Sequence, residues 1–355
     1  MSKIKKHIPA IVAVLFVLLG ILVPLLKDTI NPQPEKYTLT YIDVFDTASQ
    51  IIGYDESEEA FKEKADTLKE ELEIYHKLYN IYSVYEGVNN LKIININAGV
   101  APVEVDKRII DLLKFSIDLY HKTDGEVNIA MGSVLSIWHD YRTAGIADPS
   151  SAELPPMDKL QEAAKHTDIN NIIIDEEAST VYLADPEMSL DVGSIGKGYA
   201  VQMIAEYAKE LGYRNMIINV GGNVITVGPH FNGDKWRIGL QNPNLDAEDS
   251  VIKSIALTDR CLVTSGDYQR YYTVHDTEYC HIIDPDTLMP PTYFSAVSII
   301  CDHSGLADAL STALFNMSYE DGLALITSLD NAEAMWIYKD GTIKYSENFE
   351  SYIVE

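Results

Sequence analysis

From Ile172 onward the chain is cut into short runs rich in β-branched and aromatic residues, each closed by Gly, Asn, Asp or Pro. "NIIID" and "VYLA" read as a hairpin. "NMIINV", "NVITVG", "KWRIGLQ", "SIALT", "CLVTSG", "YYTVH", "EYCHIID", "FSAVSII", "AMWIYK" and "TIKYS" follow as further strands, interrupted by one helix, Gly305 to Met317. Strands that follow one another without alternating helices cannot build a parallel sheet of βαβ units. The expected class is therefore α+β, with largely antiparallel sheets.

Before Ile172 the texture is helical. Between Glu56 and Tyr82, the residues Phe61, Ala65, Leu68, Leu72, Tyr75 and Tyr79 form one apolar face. A second helix is predicted over Asp106 to His121, with Ile109, Ile110, Leu113 and Leu119 inward, and a strand over Tyr37 to Phe45. The polar stretch Thr143 to Asn171 reads as a loop holding a short helix, and "DVGSIGKGYAVQMIAEYAKELGY" as a turn entering a helix that stops at Gly212.

Ile8 to Leu26 is a 19-residue run without charge, preceded by Lys3, Lys5 and Lys6 and followed by Lys27. That length matches a hydrocarbon core of about 30 Å. Lysines on its N-terminal side favour a cytoplasmic tip, leaving the rest extracytoplasmic on a single-pass anchor. A cleaved signal segment is the competing reading, although no small-x-small site follows. The division expected is 1–27 anchor, 28–36 Pro-containing linker and 37–355 one folded domain.

A net charge of −27 argues against a nucleic-acid partner, whose phosphates are bound by Lys and Arg. An anionic small molecule would need a metal ion or a local cationic pocket. Cys261, Cys280 and Cys301 lack C-x-x-C spacing and read as core residues, with a Cys261–Cys301 or Cys280–Cys301 bridge as the alternative outside the cell.

Several short segments can carry chemistry. "DVGSIGKGYA" places Asp191, Ser194 and Lys197 among glycines at the mouth of a helix, either an anion site or a tight strand-to-helix turn. Its spacing is not that of a Walker A loop. "ADALSTALFNM" puts Asp308 and Thr312 on one helical face, as oxygen donors for a hard cation or as a capping and a back-bonded side chain. "EYCHIIDPDT" supplies His281 and Asp284 at a strand end, and "VTSGDYQRY" supplies Ser265 without a nucleophile elbow. A Ser265, His281, Asp284 triad is compatible with the sequence but not required by it.

The order "FDT", "TDGEVNIAMGSVLSIW", "DVGSIGKGYA", "NVGGNV", "TSGDYQRYY", "HIIDP" and "DALSTALF" resembles the ApbE-like family of FAD:protein FMN transferases, from Tyr37 to Glu355. The resemblance implies a T-fold-like α+β core and Mg²⁺-dependent transfer of FMN from FAD to a Thr or Ser of an acceptor protein, with release of AMP. The acceptor would carry a D-x-x-S/T-G-A-S/T-like motif; FAD hydrolysis and flavin binding without turnover are the alternatives. It implies one or two Mg²⁺ ions held by Asp308, Thr312 and the Ser194 carbonyl. It implies nucleotide contacts at Phe45, Tyr82, Glu126, Val127, Asn128, Asp191, Lys197 and Ile282, and proton transfer assisted by His281. Three departures stand out: Val127 and Asn128 in the family's D-G-A-F-D run, "FDT" for M-G-T, and Leu288 where Gly is expected after "DPxT".

Overall fold

The computed structural model describes residues 33–355. The apolar block at 8–26, its flanking lysines and residues 28–32 of the expected linker lie outside them. Among the described residues, no helix is long and apolar enough to cross a membrane. The linker expected to reach Lys36 ends sooner, because Glu35 already pairs in the first strand.

In chain order the elements are β1 (Glu35–Val44), β2 (Thr47–Asp55), α1 (Glu58–Tyr79), α2 (Leu91–Ile96), β3 (Val103–Glu104), α3 (Lys107–Lys122), α4 (Gly132–Ala147) and α5 (Met157–Ala163). Then come β4 (Ile172–Asp175), β5 (Thr180–Leu183), α6 (Gly196–Glu210), β6 (Met216–Val220), β7 (Asn223–Val227), β8 (Trp236–Gln241), β9 (Val251–Leu257), β10 (Cys261–Gly266), β11 (Tyr271–Val274) and β12 (Thr277–Cys280). The chain ends with β13 (Phe294–Cys301), α7 (Ser304–Asn316), α8 (Tyr319–Thr327), β14 (Glu333–Tyr338), β15 (Ile343–Tyr345) and β16 (Ile353–Val354).

Helix starts follow their caps. Ser57 accepts the Ala60 N–H at the start of α1, and Asp106 accepts that of Arg108 at the start of α3. The six apolar residues predicted for α1 are all buried. Two helices depart from expectation. Thr143 to Ala147 continue α4 instead of opening a loop, and Ser318 caps an additional helix, α8, directly after α7.

Eight strands form one sheet in the order β1-β2-β6-β7-β10-β13-β14-β15, every neighbouring pair antiparallel. Its centre is covered on both faces. Cys261, Val263, Val297, Ile299, Cys301 and Trp336 point into the main core with α1, α6 and α7. Leu262, Ala296, Ile300, Met335 and Ile337 alternate with them and pack against Phe349 and the three-stranded β16-β9-β8 sheet. Full burial of a side chain such as Phe315 stabilises by about 2–3 kcal/mol. Cys261 and Cys301 face each other across β10 and β13 with sulfurs 3.6 Å apart, and all three cysteines are free thiols.

This packing places three pieces of backbone together: the end of β10, the N-terminus of α6 and the middle of α7. The contact between the two helices requires glycine. A Cβ on Gly198 would lie 2.4 Å from both the Asp308 Cβ and the Ser304 carbonyl oxygen.

Candidate active site

Where these pieces meet, a cleft of about 430 Å³ opens. Phe45, Tyr82, Glu126, Asn128, Asp191, Ser194, Lys197, His281, Ile282, Asp308 and Thr312 all border it, although they are spread from the first strand to the seventh helix. Val127 does not. The residue is 1% exposed in the main core and its N–H donates to the Thr123 hydroxyl at 3.2 Å, so the nucleotide contact expected there is not available.

The floor is built by α6 and α7. Asp308 is 6% exposed, and its Oδ2 accepts the Gly198 N–H at 2.7 Å. Burial pushes its pKa up, opposed by Lys197, the Gly198 N–H and the Asn223 amide. No cationic side chain pairs with it within ion-pair distance among the described residues. Asn223 is 2% exposed, and its Oδ1 has no hydrogen-bond partner. In the first turn of α6 the Gly196, Gly198 and Tyr199 N–H groups bond to the Val192 carbonyl, Asp308 and the Ile195 carbonyl, which leaves the Lys197 side chain and its own N–H toward the cleft. Asp191 shapes the preceding turn by accepting the Gly193 N–H at 2.8 Å.

No group of three or more His, Cys, Asp or Glu gathers as a metal site among the described residues. A cation would rest instead on the Asp308 carboxylate, the Thr312 hydroxyl one turn later and a loop carbonyl at Ser194. This all-oxygen set suits a hard ion, and it answers both the unpaired buried charge of Asp308 and the orphan Oδ1 of Asn223. The residues present fit Mg²⁺.

His281 lies one residue beyond β12 rather than within a strand. Its Nδ1 sits 3.2 Å from the Arg270 carbonyl and so carries the proton, which leaves Nε2 as the free base. Burial first, then Arg270, Lys197 and Arg142, lower its pKa to about 3, and the ring is neutral at working pH. A serine triad does not form. The Ser265 hydroxyl bonds that of Ser311 at 2.8 Å, and the Asp284 carboxylate caps its own turn through the Asp286 N–H and the Thr287 hydroxyl.

Sequence reasoning passed over Arg142, Arg270 and His139, which line the cleft opposite α6. Neither arginine has a carboxylate partner among the described residues, and burial lowers the pKa of Arg142. Arg270 lies within "TSGDYQRYY", where Ser265 was the residue singled out, and His139 and Arg142 lie just past the motif ending at Trp138; only the fold brings α4 and the segment before β11 together. Asn223 was visible within "NVGGNV", where the glycines drew the reading.

Two departures have physical explanations. Asn128 donates its Nδ2 to the Thr167 carbonyl at 2.9 Å and accepts the Ala130 N–H at 2.8 Å, a pairing that an ionised Asp could not complete. Leu288 keeps a left-handed φ of 61° where Gly would be unstrained. Its side chain is 7% exposed in the core beside α4, and its carbonyl accepts the Trp138 indole at 3.0 Å. Burial and this bond offset the strain.

Glu126 stands between the cleft and a neighbouring cavity of about 370 Å³ lined by Asp124, Asp168 and Asp286. Burial, then Asp284, Asp286 and Asp124, raise its pKa to about 7, and its Oε2 has no partner. A carboxyl whose folded pKa exceeds its unfolded value stabilises below the unfolded pKa and loses that contribution as pH rises through the folded one. Glu126→Gln should therefore raise the melting temperature at about pH 8 and leave it unchanged at about pH 4. Thermal denaturation across pH tests this, and a variant less stable at the higher pH would refute it.

A family model described as the ApbE family matches residues 38–336. The chain belongs to the ApbE family. It is 30% identical over 272 residues, 72% of each chain, to an FAD:protein FMN transferase of Treponema pallidum. With one from Klebsiella pneumoniae it shares 29% identity over 265 residues, 74% of this chain and 79% of the other. The ApbE protein of Thermotoga maritima superposes with a TM-score of 0.79 at 27% identity, covering 90% of this chain and 100% of that one. The ApbE fold is thus the α+β arrangement of antiparallel sheets described above.

Proposed function

We propose that this chain is an FAD:protein FMN transferase that moves FMN from FAD to a Thr or Ser hydroxyl of an acceptor protein and releases AMP. Family membership and the transferases among its relatives support the flavin transferase reading. The observation that carries the finer reading is the convergence of Asp308, Thr312, Ser194, Lys197 and the neutral His281 on one cleft that holds no activated nucleophile of its own.

The acceptor oxygen forms a bond to the FMN phosphorus, and the phosphoanhydride bond to AMP breaks. The acceptor's proton passes to a base, for which His281 Nε2 is the free site, and AMP departs with the bridging oxygen. Mg²⁺, when bound, supplies charge neutralisation and polarisation at the pyrophosphate. Lys197 holds phosphate oxygens, and Arg142 and Arg270 add positive potential in a chain of −27. Tyr82, 59% exposed at the rim, offers a ring face to the flavin nucleotide.

The test incubates the full chain with FAD, Mg²⁺ and a protein bearing a D-x-x-S/T-G-A-S/T segment. An FMN mass addition on that protein together with AMP supports the proposal. AMP without the adduct would make the chain an FAD hydrolase, and bound FAD with neither product would remove both activities. Residues 8–26, uncharged and flanked by lysines, support an extracytoplasmic placement of this domain. Protection of the domain from protease added to intact cells would overturn that placement.

A further inference from the structure

The hairpin between β1 and β2 turns in two residues, Phe45 and Asp46, with Val44 opposite Thr47. Both are left-handed, with φ of 54° and 50°. Such a turn is inexpensive for Asn-Gly, and the family resemblance leads one to expect Gly at position 46. A bulky Phe in this region is strained and persists only if its surroundings hold it. Those surroundings are His76. Its Nδ1 accepts the Phe45 N–H at 3.0 Å, and the two rings meet edge to face with centroids 5.5 Å apart.

The other side of the same imidazole faces the loop after α1. Because Nδ1 accepts, Nε2 carries the proton and donates to the Tyr85 hydroxyl at 3.3 Å. Tyr85 also accepts from the Asn80 amide at 3.2 Å, and the Asn80 Oδ1 accepts the N–H groups of Tyr82 and Ser83 at 2.8 and 2.7 Å. His76 thus sits between the two aromatic residues, Phe45 and Tyr82, that form one wall of the cleft.

We propose that His76 is a positioning residue for the flavin nucleotide, a neutral imidazole that ties the strained Phe45–Asp46 turn to the Asn80–Tyr85 loop and so sets the wall against which the nucleotide lies. The inference rests on the reading of this cleft as an FAD site. A protonated ring would present an Nδ1–H to the Phe45 N–H and lose the tie. Burial lowers the pKa of His76, so the ring is neutral at pH 7. The groups facing it are Asp43 and Asp46 from the hairpin, Glu73 and Lys77 from its own helix and Tyr85 from the loop.

FAD affinity of the full chain, read by flavin fluorescence in the absence of divalent cation, tests this alongside steady-state kinetics with Mg²⁺. His76→Leu should weaken FAD binding and raise KM about tenfold, with kcat changed less than about threefold. His76→Asn, whose amide oxygen can replace the Nδ1 acceptor, should recover most of that loss. Wild-type affinity should fall more steeply on acidification than that of His76→Asn, whose profile keeps the titration of other cleft groups such as Glu126 but loses that of the imidazole.

Unchanged affinity in His76→Leu, or a loss confined to kcat, would overturn the proposal. If His76→Leu does not fold, the wild-type and His76→Asn pH profiles carry the comparison, and identical profiles would overturn it. Failure of the wild-type chain to bind FAD would instead remove the reading of the cleft itself.

Discussion

On the proposed transferase reading, Asp308→Ala should lower cation-dependent AMP release by at least about 10³-fold while the protein stays folded. The size follows from the charge balance. Lewis-acid stabilisation of a phosphoryl transition state is worth several kcal/mol, and each 1.36 kcal/mol is about tenfold in rate. Asp308 is the buried carboxylate of the cleft floor, and Thr312 and a loop carbonyl add only dipoles beside it. Removing the carboxylate relieves a buried charge but leaves the buried Gly198 N–H without its acceptor, and the two effects oppose each other. The melting temperature without Mg²⁺ should therefore change little, and the increase that Mg²⁺ produces in the wild type should vanish. Asp308→Asn can keep the hydrogen bond from Gly198 but loses the charge, so its rate should lie near that of Asp308→Ala. AMP release at the wild-type rate from either variant would remove Asp308 from the metal site.

What could be read beforehand divides along a physical line. Residues whose role depends on local backbone were legible: the apolar face of α1, the helix over Asp106 to His121, and Asp308 with Thr312 one helical turn apart. So were the strands at the centre of the main sheet, whose alternation feeds two cores. β2 was not, because its alternating Ser49, Ile51 and Gly53 lack the aromatic and β-branched density that marked the later strands. Arg142 and Arg270 were illegible for another reason. They face one cleft only because α4 and the segment before β11 pack together around Trp138 and Tyr272.

That last point changes the reading of charge. A chain of −27 led to the expectation that an anionic ligand must be held through a divalent cation. The fold supplies both routes: an oxygen-only floor at Asp308 and Thr312, and a wall where Lys197, Arg142 and Arg270 border the same cleft. Those three cations also lower the pKa of His281. An anion entering the cleft neutralises part of their field, so the imidazole becomes a stronger base once substrate is present.

Gly198→Ala reaches the same chemistry by breaking the scaffold beneath it. The methyl would meet the Asp308 Cβ and the Ser304 carbonyl at 2.4 Å, and neither is the far end of a flexible side chain. The helices must move apart by several tenths of an ångström or more. α6 and α7 also meet at Gly305 against the Tyr199 Cα and at the Ser304 N–H, which donates to the Gln202 amide oxygen at 2.8 Å, so separation loosens buried contacts as well as relieving overlap. Overpacking of this kind costs about 1–3 kcal/mol, which should lower the melting temperature by several degrees. The functional loss should be larger than that stability loss implies. The Gly198 N–H to Asp308 bond at 2.7 Å registers the first turn of α6, with Lys197, against the face of α7 that carries Asp308 and Thr312. On the proposed reading, its lengthening would take Lys197 and Asp308 out of register on the pyrophosphate, and misplacement by about 1 Å costs about 10²-fold in rate. Differential scanning calorimetry and AMP release measured on the same preparation separate the two effects. A folded Gly198→Ala protein with wild-type turnover would show that the two helices need not be held at this distance.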